Sequence, residues 1–186
     1  VHYESMLGHT IEYIPPRVKI EISCLSMNEP TEDRLISSYI EQTFPGEDEA
    51  ATATIRTVVP TRTFLEKAFL LCEEFQKQTP RYVRMSRHLY DLERLMDTGF
   101  GRQALLDMDL YERIVKHRSI YYVVGYVDYS KLMPSEIDFV PKQELVKDWK
   151  DDYAEMCNHF IYGQTLSFER LIERIKELQE RFRKAF

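Results

Sequence analysis

The sequence predicts an α+β fold: a short strand-rich N-terminal part followed by a mainly α-helical bundle. Three observations carry this. Arg17 to Cys24 alternates polar and apolar residues with period two. From Pro60 onward, apolar residues recur at three- and four-residue spacing, as on one face of a helix. Pro60 itself divides the two patterns, so the expected units are residues 1–60 and 61–186.

Taken in order, His9 to Ile14 has strand composition and Pro15-Pro16 breaks it. In the next predicted strand Val18, Ile20, Ile22 and Cys24 share one face, and Arg17, Lys19, Glu21 and Ser23 the other. The segment through Leu35-Ile36 and Tyr39-Ile40 reads as a short helix, and Pro45 to Glu49 as an acidic loop. Ala53 to Val58 is a third strand. After Pro60 a helix carries Phe64, Ala68, Phe69, Leu71, Cys72 and Phe75 as its apolar stripe. Thr61 or Thr63 is its expected cap, with Glu66 as the capping-box acid for Thr63. Thr79-Pro80 ends it.

Ser86 is expected to cap a second helix that buries Met85, Leu89, Leu92 and Met96 and stops at Gly99 and Gly101. Leu105 to Lys116 adds one or two more helices. Ser119 to Val127 is ambiguous, strand-like in composition but set among helices. Pro134 and Pro141 bracket a loop. Leu145, Trp149, Tyr153, Met156 and Phe160 mark one further helix, and Phe168 to Phe182 another. A three-stranded piece leaves edges and a face uncovered, so either the helices cover it or further strands belong with it.

Composition excludes several classes. Net charge is −6, which does not suggest generic adhesion to nucleic acid, although a local basic patch remains open. Six glycines, none in a phosphate-cradling loop, argue against the two common nucleotide loops. Three distant cysteines with no CxxC pair fit neither a zinc site nor a disulfide framework, and suit a reducing cytoplasm. No signal peptide and no apolar run near 18 residues is present, so no membrane span is expected.

Two stretches concentrate charge beside an apolar stripe: Arg62-Thr63-Phe64-Leu65-Glu66-Lys67 and Ser86-Arg87-His88-Leu89-Tyr90-Asp91-Leu92. Lys67, near the start of its helix, can hold phosphates as a point charge or simply be solvated. Asp91 sits at helix-neighbour spacing from Arg87 and Arg94, which predicts ion pairs along one helix. Arg81, Arg84, Arg87 and His88 crowd the same surface, which is either an anion site or a solvated charged face. Glu21, flanked by isoleucines, is either a rigidly held acid or a solvent-facing partner of Lys19. Glu136-Ile137-Asp138 and Asp107-Met108-Asp109 are acid pairs of the kind two-metal sites use, but neither follows a Gly-Ser turn. The five histidines show no HxxxH or HExxH spacing, and no GxSxG elbow occurs.

Thr61 to Lys67, followed about twenty residues later by Arg87-His88-Leu89-Tyr90-Asp91-Leu92, resembles the AbiEii/AbiGii-type toxin nucleotidyltransferases. The stretch Asp152-Tyr153-Ala154-Glu155-Met156 resembles that family's C-terminal helical region, and the likeness runs from about Val18 to the end. The resemblance implies a remnant of a polymerase-β-like nucleotidyltransferase sheet ahead of the helices. It also implies membership of type IV toxin–antitoxin and abortive-infection systems of bacteria, with NTP and Mg²⁺, a cognate antitoxin and in some members tRNA as partners. By the resemblance Lys67 contacts nucleotide phosphates and Asp91 is the acid of the last motif. Glu21 is a sheet carboxylate and metal ligand. Arg62, Glu66, Arg84, Arg87 and His88 are the expected nucleotide- or substrate-binding residues. The family's Gly-Ser turn with its Asp-x-Asp pair has no good counterpart before Glu21, so the chain is expected to be the C-terminal two-thirds of a longer enzyme and inactive alone.

Overall fold

The computed structural model describes His2, residues 15–23, Leu25, residues 27–47 and residues 52–185. The order is β1 (Thr31–Ser37), α1 (Tyr39–Thr43), β2 (Thr52–Val58), α2 (Pro60–Glu74), α3 (Ser86–Met96), α4 (Gly99–Ala104) and α5 (Met108–Tyr121). Short 3-10 turns at Tyr129–Leu132 and Gln143–Leu145 precede α6 (Val146–His159) and α7 (Phe168–Ala185). The fold is α+β: a small antiparallel sheet, then helices.

The sheet departs from the sequence expectation. β1 pairs antiparallel with β2, Thr31 opposite Val58 and Ser37 opposite Thr52. The expected helix through Leu35-Ile36 is therefore strand, and only Tyr39-Ile40 onward turns helical. Pairing with a distant segment decided the conformation, which local composition cannot register. Conversely, Arg17 to Ser23 forms no strand beyond an isolated bridge from Arg17 to His2. Among the described residues its apolar face stays open to solvent: Ile20 is 80% exposed and Ile22 95%. The strand expected at His9 to Ile14, along with Cys24, Asp48 and Glu49, lies outside the described residues.

The core belongs to the helices. Phe64, Leu65, Ala68, Phe69, Leu71 and Cys72 of α2 are buried, as the stripe predicts. Phe64 stacks on Phe182 of α7 with centroids 5.6 Å apart, and Phe69 meets Tyr111 of α5 edge-on at 4.8 Å. The loop between Pro134 and Pro141 contributes Ile137 and Phe139, both fully buried. Phe139 also donates its backbone N–H to the Gln179 side chain at 2.8 Å. The ambiguous segment resolves as the end of α5, which continues to Tyr121, followed by turns.

Helix ends also differ from expectation. The cap residue of α2 is Val59, with Pro60 pre-setting the first turn. Thr63 donates to the Val59 carbonyl, and Glu66 pairs with Arg62 at 2.9 Å instead of closing a capping box. α3 stops at Met96, but Gly99 and Gly101 belong to α4, which Thr98 caps by accepting the Gly101 N–H at 3.2 Å. A side chain at position 101 would collide with the Leu95 carbonyl and place Cβ 2.9 Å from Met96 Cα. That close approach, and not chain termination, accounts for this glycine.

Candidate functional site

α3 carries most of the charged motif, and its position is fixed from both ends. At its start Met85 is the cap residue and offers no side-chain acceptor. Ser86, expected as the cap, lies in the first turn. The acceptor comes from α6: Asp152 takes the backbone N–H of Arg84 at 2.5 Å, that of Ser86 at 3.0 Å, and the Ser86 hydroxyl. Asp152 is 8% exposed, so this is a carboxylate buried at a helix N-terminus, where unpaired N–H groups and the helix dipole favour negative charge. The same bonds hold Arg84 at φ 59, a left-handed conformation that a side chain disfavours. At the other end Asp97 is gripped by Arg174 and Arg181 of α7, the latter at 2.7 Å.

Between these anchors Asp91 faces α2. The ion pair it makes crosses to Lys67, Nζ to Oδ2 at 2.7 Å, in place of the expected pairs with Arg87 and Arg94 along its own helix. The Lys67 side chain is 22% exposed and that of Asp91 39%, so the pair is partly sheltered but reachable. It lies at a cavity of about 580 Å³ lined by Lys67, Arg87, His88, Tyr90 and Asp91. Met156, Phe160, Ile161 and Tyr162 complete its lining. That volume is in the range of sites for small organic ligands. Among the described residues Arg87 has no carboxylate within ion-pair distance, so its guanidinium is open to an anionic ligand.

His88 is neutral in this setting. Burial, then the charges of Lys67, Arg87 and Arg81, push its pKa down to about 3. Its Nδ1 is buried with no hydrogen-bond partner among the described residues. The cavity thus holds two cations and one anion, and a histidine that adds no charge near neutral pH.

The remaining predicted residues are more scattered. Glu21 is fully exposed and bridged to Lys19. Lys19 holds its carboxyl below the usual range by hydrogen bond and charge, and Arg87 adds a smaller pull, which places Glu21 within electrostatic reach of the cavity. Arg62 is buried, its Nε bonded to Glu66, so it braces α2 one turn ahead of Lys67. Arg84 lines a second, larger cavity of about 780 Å³ with Arg17 and the acids Asp148, Asp151, Asp152 and Glu155. Those four carboxylates make the larger cavity the poorer one for an anion.

Mg²⁺ was the expected metal, with Glu21 as ligand. Among the described residues no three His, Cys, Asp or Glu side chains gather as an ion would require. Asp91 and Glu21 are each engaged with a lysine on a different segment. These residues do not form a cradle for the ion. The two acid pairs noted in the sequence have other work: Asp107 caps α5 by accepting the Leu110 N–H at 2.9 Å, and Asp109 pairs with Arg113. Asp138 lines a separate cavity beside Cys72, with Lys131 and Lys142.

The roles of Asp152, Phe160 and Tyr162 are not apparent from the sequence. The spacing puts Phe160 in one helix with Leu145, Trp149, Tyr153 and Met156, yet it lies just beyond the end of α6 and is 53% exposed. Phe160-Ile161-Tyr162, three bulky apolar residues straight after His159, is the signal that was there to be found.

Comparison with the curated proteins and with the solved structures gives no match. A family model does match, over residues 1–181, described as the nucleotidyl transferase AbiEii toxin of type IV toxin–antitoxin systems. With nearly the whole sequence covered, the chain belongs to the AbiEii nucleotidyl transferase toxin family.

Proposed function

We propose that the cavity between α2, α3 and residues 156–162 is a nucleotide site, used in transferring NMP from an NTP to an acceptor such as tRNA in the cytoplasm. The observation that carries this is the Lys67–Asp91 pair at 2.7 Å, joining the two charged motifs at the mouth of one cavity beside Arg87. Lys67 offers a flexible ammonium to phosphate oxygens, and Arg87 a planar fork. Asp91 holds the ammonium in place until a ligand phosphate displaces it. In the reaction the acceptor hydroxyl attacks the α-phosphorus, the bond to the β-phosphate oxygen breaks, and pyrophosphate leaves. Such displacement depends on positioning and on neutralising charge, which is what two cations fixed on braced helices supply.

The sequence has no Gly-Ser turn followed by an Asp-x-Asp pair. We therefore propose that these 186 residues bind nucleotide without completing the transfer. A second reading, a non-catalytic module that docks RNA or an antitoxin protein, draws support from the exposed apolar side chains of Val18, Ile20, Ile22 and Leu35. Growth assays with the intact toxin, one that also carries the Gly-Ser and Asp-x-Asp motif, separate the two. Lys67→Ala and Asp91→Ala are expected to abolish growth inhibition while the melting temperature moves by no more than about 2 °C, as for surface substitutions. Toxicity that survives both changes would favour the docking reading.

A further inference from the structure

Burial along the last turns of α6 ends abruptly. Met156 is 1% exposed, Phe160 53% and Tyr162 98%. Neighbouring aromatics behave differently: Trp149, Tyr153 and Phe168 are all buried. Phe160 and Tyr162 therefore contribute little to the core, yet both line the cavity that holds Lys67 and Arg87. Exposed rings lining the same cavity as a pair of cations suit a ligand that is anionic at one end and flat and aromatic at the other. The wall is also poor in hydrogen-bonding groups, since Met156, Phe160 and Ile161 carry no side-chain donor and Tyr162 has one hydroxyl.

We propose that Phe160 and Tyr162 are the base platform of this site, stacking on the nucleobase of the nucleotide whose phosphates Lys67 and Arg87 hold. This rests on the nucleotide-site reading above and adds the half of the ligand that the charged motifs do not address. Stacking engages the π-face common to every base, so all four NTPs bind by way of this wall. Cation contact and ring contact are then separable, because they act on different parts of one molecule.

The test is titration calorimetry of the full chain with a short single-stranded RNA, with each NTP and with inorganic triphosphate, which keeps the charge and lacks the base. Tyr162→Ala is expected to weaken every NTP roughly tenfold, the usual scale of one lost base–aromatic contact, and to leave triphosphate unchanged. Phe160→Ala should act in the same direction. Tyr162→Phe should restore NTP affinity, because the ring and not the hydroxyl is at work. Lys67→Ala should weaken NTP and triphosphate alike. At 98% exposure Tyr162 can be changed without a folding cost, so its variant stands as the decisive one. Unchanged NTP affinity in Tyr162→Ala and Phe160→Ala, with Lys67→Ala still impaired, would overturn the platform and spare the phosphate site. A parallel loss of NTP and triphosphate in the aromatic variants would overturn it too. Loss confined to a short single-stranded RNA would assign the rings to an acceptor base instead. A wild-type chain that binds neither NTP nor triphosphate would remove the nucleotide-site reading itself.

Discussion

Residues 15–58 and 60–185 both carry apolar residues in regular patterns, with opposite outcomes. Before Thr61 none of the described residues is buried; beyond it the aromatic and aliphatic stripes of α2, α3, α5, α6 and α7 close into one core. The difference lies in partners. A helix presents its stripe to other helices that the same stretch of chain supplies, whereas a two-stranded ribbon needs a further layer to cover it. The ribbon here is held by its own ladder, with Arg56 bonded to Thr31 and Glu29. Periodicity therefore reports conformation only where something is available to pack against.

The sharpest contrast should come from truncating the two kinds of apolar residue. Phe182→Ala, in a fully buried side chain touched by Phe64 and Phe139, is expected to cost about 3–5 kcal/mol in urea denaturation. Ile22→Ala in the N-terminal region should stay within about 0.5 kcal/mol. Comparable losses would mean that the ribbon region is packed after all.

Next in size is the brace at α3. Asp152→Ala strips three donors of a buried acceptor and should cost about 2–3 kcal/mol, with Asp152→Asn intermediate. Asp151→Ala, one residue away and exposed, serves as the control and should be nearly silent.

Acid sensitivity gives a subtler difference. His88 binds its proton at about pH 3 when folded, against an ordinary value near 6.5, so between those limits the unfolded chain binds more protons. Stability is then complete above about pH 6.5 and falls as pH drops, by up to about 1.4 kcal/mol per unit. A His88→Gln chain should show a flatter decline in urea midpoint from pH 7 to pH 5. Parallel declines would contradict the assignment of a neutral, buried imidazole.

How much of this was legible in the sequence follows the same divide. The stripes of α2, α3 and α7, and that of α6 from Trp149 to Met156, were readable because burial there follows spacing. β1 was not, since Thr31 to Ser37 becomes a strand through Thr52 to Val58, which lies beyond a loop. Two local motifs misled for a related reason. Ser86 has the chemistry of a cap, but Asp152 from another helix occupies that role. Asp91 has arginines at ideal spacing, yet the helix crossing brings Lys67 closer. The motif resemblance had already named Lys67 and Asp91 together. What it did not contain was the cavity wall, because Phe160 and Tyr162 gain meaning only from what they face.

Lys67 and Asp91 form a ligand site and not a structural bridge if nucleotide binding depends on them while folding does not. The direct measurement is the affinity of the purified chain for an NTP, wild type against Lys67→Ala, with thermal denaturation of both. A loss of tenfold or more in affinity, at a melting temperature within about 2 °C, is the predicted result. Equal affinity in the two proteins, or a Lys67→Ala chain that no longer folds, would contradict it.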